Sequence, residues 1–127
     1  MSIKSSAVPT DLVTSFSSGS AVDVIVRDQD YTTYCGINWH GSGGSNVGLY
    51  TCEAVTGTGR CERSSIRYDT SYVNVTTEAN RRGIACHETG HSLGLKHYDA
   101  YSGCMEPHGP YFWNLSAHDR SHINATH

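Results

Sequence analysis

The chain has 127 residues, a length that suits one domain. Hydrophobic residues make up 37% of it and charged residues 17%, with a formal net charge of −3. This balance argues against a nucleic-acid-binding protein, which usually carries a basic patch. The sequence also lacks an apolar run of about 18 residues, so we predict no membrane-spanning helix.

The first 20 residues are rich in serine and contain no apolar stretch of the kind found in signal peptides. For this segment we predict either a frayed terminus or a short helix opened by Pro9. We predict that residues 21–127 form a single domain. The five cysteines favour an oxidising compartment and suggest two disulfides with one thiol left over. We therefore expect a secreted protein of which this sequence is the mature part.

Three segments of the first half have the patterns of β-strands. Residues 21–27 alternate valine with other residues, and β-branched residues suit a pleated surface. Residues 28–46 are predicted to form a glycine-rich loop. Residues 47–52 and 65–72 are predicted as the second and third strands, with a turn at 56–60 between them.

The pattern then changes to that of helices. Residues 77–95 contain no proline and predict one long helix, with Thr76 or Thr77 as its N-cap. A turn-rich stretch follows from 98 to 111, and Ser116 can cap a short last helix. Strands followed by helices indicate an α+β fold.

The second half contains a metal-binding pattern, HETGHSLGLKH, at residues 87–97. His87 and His91 are four residues apart, so on a helix both imidazoles lie on one face and can bind one ion. Gly94 can adopt a left-handed conformation and turn the chain back, which would bring His97 to the same ion. Three neutral ligands leave a fourth position open for water, as is typical of catalytic zinc sites.

Glu88 directly follows the first of these ligands and is predicted to lie beside the metal. From there it can accept a proton from zinc-activated water, whose pKa the ion lowers to about 7, and pass it to a leaving amine. The pattern thus predicts hydrolysis of peptide bonds. A histidine-rich surface helix that matches by chance is the alternative interpretation.

This zinc motif, followed by Met105, resembles the metzincin zinc peptidases with their Met-turn. Within that group, the chain is similar to matrixin-type domains and to small secreted bacterial relatives, the snapalysin group. Three further segments resemble parts of the family fold. Two of them, VDVIVRD and SSIRYDTSY, resemble family strands, and the third, LSAHDRSHIN, resembles the start of the C-terminal helix. Snapalysins have Asp as their third ligand, whereas this chain has His97. Ordinary core packing is the alternative role of Met105.

The resemblance implies a small twisted mixed sheet packed on a long active-site helix, then an irregular Met-turn region and a short C-terminal helix. The cleft would lie between residues 21–95 and 96–127. An extended peptide would pair with the backbone of an edge strand that borders the cleft, although a purely structural strand is the alternative. The predicted substrate-binding residues are Gly48, Leu49 and Tyr50 of that strand and Tyr111 at the wall of the S1′ pocket, with Phe112 as the alternative to Tyr111.

The cysteines next to the motif suggest how two disulfides could form. A Cys86–Cys104 bridge would lock the active-site helix to the Met-turn, and Cys52–Cys61 would close the loop around the turn at 56–60. Cys35 would then stay free or pair with a lost segment. Other pairings remain open because sequence does not determine connectivity.

Other histidines and acidic residues offer further metal-binding possibilities. A Ca²⁺ ion or a second Zn²⁺ could bind near Asp28, Asp30 and His40, although the matrixin ligand pattern is not reproduced there. His118 and His122 are also four residues apart, and we expect them on a solvated helix face.

Three functions are compatible with the sequence. The first is a secreted, monomeric zinc endopeptidase with one catalytic Zn²⁺ that acts on peptides or proteins. The second is a proteolytically weak or inactive zinc-binding relative that serves as a binding module. The third is a carbohydrate- or surface-binding domain without a metal, suggested by the tyrosine and tryptophan content, although we expect Trp39 and Trp113 to be core or loop anchors. Glu88 favours the first, because a purely structural zinc site does not need that carboxylate.

Overall fold

The computed structural model describes residues 23–29, 33–34, 36–39, 47–69, 77–98, 102–107 and 112–126. This part of the chain is α+β, as the order of the sequence patterns predicts. Its elements are β1 (Val24–Gln29), β2 (Thr33–Tyr34), β3 (Ile37–Asn38), β4 (Gly48–Val55), β5 (Cys61–Asp69), α1 (Glu78–Ser92) and α2 (Ala117–Thr126). The predictions for residues 1–20, Asp30, Cys35, His40 and Tyr111 lie outside the described residues.

Three strands form a small mixed sheet in the order β1-β5-β4. β1 runs parallel to β5, and β4 runs antiparallel to it, so β5 is the central strand. The hairpin between β4 and β5 is closed by a hydrogen bond from the Thr56 amide to the Arg60 carbonyl at 2.8 Å. The turn requires a φ of 83° at Gly59, and glycine adopts this conformation readily because it has no Cβ atom. Because β4 pairs with β5 alone among the described strands, it is an edge strand of this sheet.

The strand boundaries differ from the predicted ones. β5 begins at Cys61, four residues before the predicted start at 65, because backbone pairing with β4 continues along its polar, exposed first residues. Its central residues are buried on both faces, and they include Ser65 and Arg67, which bond to the Glu53 carboxylate. The short hairpin of β2 and β3 lies in the segment predicted as a loop. The prediction missed it because a strand of two residues is too short to show the alternation of side chains that indicates a strand.

Helix α1 begins as predicted and ends earlier than predicted. The Thr77 hydroxyl caps it by accepting a hydrogen bond from the Asn80 amide at 3.2 Å. The helix ends at Ser92 instead of residue 95 because Gly94, with a φ of 85°, reverses the chain. The Leu95 amide then bonds back to the Gly90 carbonyl at 3.0 Å. The prediction that Gly94 turns the chain is confirmed.

Helix α2 is capped by Ser116, as predicted. The Asp119 amide donates to the Ser116 hydroxyl at 3.1 Å, and the Asp119 carboxylate accepts from the Ser116 amide at 3.0 Å. A Cβ atom at Gly103 would lie 2.8 Å from the Ser116 nitrogen. The start of α2 therefore packs directly against residues 102–107, which we call the methionine turn.

The methionine turn contributes to the hydrophobic core between α1 and α2. Met105 is 1% exposed, and a Cβ atom at Gly90 would overlap its sulfur, so α1 lies directly on it. The predicted Cys86–Cys104 disulfide joins α1 to this turn, and the predicted Cys52–Cys61 disulfide joins β4 to β5. The core cluster consists of Leu95, Cys104, Met105 and Ile123. Within the described part of the chain, neither helix has the length and apolar character needed to cross a bilayer.

Candidate metal centre

The structure brings the three predicted histidine ligands together. His87 and His91 project from α1, and His97 follows the reversal at Gly94. The Nε2 atoms of His87 and His97 are 3.0 Å apart, and the His91 Nε2 atom is 3.2 Å from each of them. His97 is exposed, so solvent can reach the cluster. These three side chains, which we call the histidine cluster, could hold a metal ion.

The protonation of two rings follows from their hydrogen bonds. His87 Nδ1 lies 2.6 Å from the Cys104 carbonyl oxygen, and His91 Nδ1 lies 2.9 Å from the Leu95 carbonyl oxygen. A carbonyl oxygen only accepts, so both Nδ1 atoms carry the proton, and in a neutral ring Nε2 then presents a lone pair. Burial lowers the pKa of His87, which favours its neutral form. Lone pairs facing each other at this distance repel unless a cation lies between them.

The cluster has the dimensions of a zinc site. Nitrogens at the corners of a tetrahedron and about 2.0–2.1 Å from its centre are about 3.3–3.4 Å apart. The observed separations of 3.0–3.2 Å are close to that value. Imidazole nitrogen also suits zinc, copper, iron and nickel, so the donor set indicates a transition metal without fixing which one. No fourth His, Cys, Asp or Glu from the described residues joins this group.

The methionine turn contacts His87 and the segment that carries His97 through backbone hydrogen bonds. The Cys104 carbonyl orients His87, and the Met105 carbonyl accepts a hydrogen bond at 3.0 Å from the amide of Tyr98, the residue after His97. Met105 itself touches α1 at Gly90, between the two helical ligands. The turn thus fixes the orientation of one ring and the path of the segment that carries another.

Glu88 is buried between α1 and the edge of the sheet. Its side chain lies against Gly48 of β4, and its carboxylate accepts a hydrogen bond from the Tyr50 amide. Burial raises the pKa of Glu88 to about 7, although the Tyr50 hydrogen bond acts in the opposite direction. Next to it, burial and the Glu88 charge raise the pKa of Tyr68, whose hydroxyl bonds to Thr89.

Two of the three predicted substrate-binding residues of β4 lie beside this carboxylate. Gly48 and Tyr50 both adjoin Glu88, and the Tyr50 ring centroid is 6.3 Å from that of His91. Leu49 pairs with Arg67 of β5, and its side chain points to the other face of the sheet. That these residues bind substrate stays a prediction. Tyr111 lies outside the described residues.

Sequence patterns gave no indication of the groups that orient the histidine rings. The Cys104 and Leu95 carbonyls are backbone atoms, which no residue type reveals. The only signal was indirect, because a cysteine beside Met105 and another beside His87 suggested that the two segments are joined. The pair His118 and His122 is exposed on α2, as expected, and His118 stacks on Tyr98.

Removal of the disulfide next to the cluster should weaken metal binding. In the Cys86→Ala/Cys104→Ala variant, we expect the free energy of unfolding without metal to fall by about 3 kcal/mol, because the unfolded chain gains entropy. The affinity for Zn²⁺ should fall about 10- to 100-fold, since His87 loses the fixed position of its carbonyl partner. Urea unfolding and competition with a metallochromic indicator measure the two quantities.

The matched control is Cys52→Ala/Cys61→Ala, which opens a loop of similar entropic cost and leaves the carbonyl partners of the histidines on their own segments. The two loops span 9 and 18 residues, so the entropic losses differ by less than about 1 kcal/mol. The control should be destabilised while its zinc affinity stays unchanged. Equal zinc affinities in both variants would contradict the orienting role of the Cys86–Cys104 bridge.

Comparison of the chain with protein-family models, with curated proteins and with solved structures found no match in any of the three. The likeness to metzincins therefore rests on the residues of the zinc motif and Met105. What the geometry adds is a histidine cluster able to bind a metal ion, two disulfides that fit an extracellular protein, and a buried carboxylate in the motif.

Proposed function

We propose that this protein is a secreted zinc endopeptidase of the metzincin kind, similar to matrixins and snapalysins. The observation that carries the proposal is the convergence of three imidazole Nε2 atoms within 3.2 Å. In two of these rings, Nδ1 donates its proton to a backbone carbonyl oxygen. A bound zinc ion supplies Lewis acidity, which acidifies water and polarises a carbonyl group. His87, His91 and His97 would hold that ion.

Glu88 is the proton acceptor and donor of the proposed reaction. It follows His87 in α1, and the Tyr50 amide holds its carboxylate on the β4 side of the helix. A fixed carboxylate at this place can take a proton from the attacking water and deliver it to the leaving amine. Burial excludes bulk water from the carboxylate, so the proton is passed to the substrate instead of being lost to solvent.

The substrate of the proposed reaction is an extended peptide. β4 is the edge strand of the described sheet and lies beside Glu88, so its outward backbone groups other than the Tyr50 amide, which bonds to Glu88, can pair with a peptide in the manner of an added strand. Such pairing uses backbone atoms alone and predicts a broad choice of substrate side chains. The two disulfides support export to an oxidising compartment.

The test is cleavage of a randomised peptide library by the purified protein, with its metal content measured in parallel. We expect about one zinc ion per chain, internal cleavage of peptides, loss of cleavage after 1,10-phenanthroline, and recovery when Zn²⁺ is added back. Stoichiometric zinc without any cleavage would contradict the proposal and favour a zinc-dependent binding module. Cleavage that survives complete metal removal would also contradict it.

A further inference from the structure

The backbone of β4 alternates between groups that face β5 and groups that face outward. The Asp69 amide donates to the Val47 carbonyl at 3.0 Å, so residues 47 and 69 form a hydrogen-bonded pair. In an antiparallel ladder, hydrogen-bonded pairs alternate with pairs that are not hydrogen-bonded. Gly48 and Tyr50 are one and three residues after Val47, so both belong to pairs of the second kind and direct their amides away from β5. At Tyr50, this outward amide is the one that donates to Glu88.

Gly48 leaves the space that the Glu88 side chain occupies. A Cβ atom built on Gly48 would lie 2.5 Å from Oε1, 2.8 Å from Cγ and 2.9 Å from Cδ of Glu88. Contacts this short do not occur between real atoms, so any side chain at position 48 would displace Glu88. The missing side chain of Gly48 and the amide of Tyr50 together form what we call the Glu88 seat.

We propose that Gly48 is a positioning residue of the site, required to hold the carboxylate of Glu88, the residue after His87, at the Tyr50 amide. This inference rests on the proposed peptidase function and extends it to a residue with no reactive group. The displaced carboxylate cannot withdraw into α1, because Glu88 is buried and its helix is tied to the core at Gly90 and Cys86. The carboxylate would instead move away from β4, and its hydrogen bond with the Tyr50 amide would break.

Gly48→Ala tests the kinetic consequence. We expect kcat to fall about 100-fold, since a misplacement of about 1 Å at a reacting group can cost that much. KM should change less than about twofold, and zinc affinity should not change, because the three atoms nearest to a Cβ on Gly48 all belong to Glu88 and none to a histidine. A general loss of structure would lower the metal content together with kcat, whereas displacement of Glu88 alone lowers kcat and leaves the metal content unchanged.

Gly57→Ala is the matched control on the same hairpin. Gly57 lies in the turn after β4, where a Cβ atom would meet nothing within 4 Å and the backbone does not require glycine. Its kcat, KM and unfolding temperature should equal those of the parent or exceed them slightly, because alanine restricts the unfolded chain. A kcat in Gly48→Ala equal to that of Gly57→Ala would overturn the proposal.

A double-mutant cycle tests the contact without reference to catalysis. Gly48→Ala should lower the unfolding temperature of the parent by several degrees, but it should cost little in a Glu88→Ala background, where the overlapping side chain is gone. Equal effects in the two backgrounds would overturn the proposal even if the protein is a peptidase. If the cycle shows coupling but no variant or parent cleaves peptides, the seat is supported as structure and the peptidase function is the part that fails.

Discussion

Glu88→Gln should lower kcat about 1000-fold and leave the zinc content unchanged. The amide is isosteric with the carboxylate, so it fits beside Gly48 and its oxygen can still accept the Tyr50 hydrogen bond. It cannot accept a proton at neutral pH, and loss of a positioned acid or base costs about 10²–10⁴ in rate. Steady-state kinetics on a peptide from the library and metal analysis measure the two quantities.

The matched control for this substitution is Glu62→Gln on β5. Glu62 is an exposed carboxylate near the start of that strand, away from the histidine cluster, and its replacement makes the same change in charge. Its kcat should stay within about twofold of the parent, as surface substitutions usually have little effect. If Glu88→Gln retained full activity, Glu88 would not be the proton acceptor, and the proposed mechanism would be wrong.

His91→Ala should reduce zinc affinity more than 100-fold. Apparent binding free energies of four-ligand zinc sites are about 10–16 kcal/mol, which corresponds to about 3 kcal/mol for each ligand. His91 contacts both other ligands at 3.2 Å, so its loss leaves two nitrogens and an open side. Competition against an indicator of known affinity measures the change, and proteolysis should be lost at limiting zinc.

His122→Ala is the matched control, because it removes an exposed imidazole of α2 that lies outside the histidine cluster. Its zinc affinity should equal that of the parent, as should its stoichiometry of about one ion. An equal loss of affinity in both variants would mean that zinc binds at exposed histidines in general and not at the cluster. Unchanged affinity in His91→Ala would contradict the ligand assignment directly.

The parts of the site that sequence predicted are those set by local backbone geometry. The spacing of His87 and His91 places both rings on one helix face wherever the helix lies. Gly94 ends the helix because its left-handed conformation costs glycine little, and this brings His97 back toward the other two rings. Thr77 and Ser116 cap their helices through hydrogen bonds that span three residues. The disulfide partners agreed with one of several pairings that the sequence left open.

The parts that sequence could not predict depend on contacts between distant segments. The order β1-β5-β4 and the early start of β5 follow from backbone pairing, which is insensitive to the polarity of the residues paired. The burial of Ser65 and Arg67 breaks the simple alternation of strands, because a central strand is covered on both faces.

By itself, the sequence determined which side chains can bind a metal and where the helices carrying them begin and turn, because these properties need only neighbours along the chain. Tertiary structure alone decided which ring nitrogen of His87 carries the proton, through the Cys104 carbonyl. It also decided where the Glu88 carboxylate rests, through Gly48 and Tyr50 of a separate strand. The physical reason is that hydrogen bonds and excluded volume act at a few ångströms in space, whatever the separation in sequence.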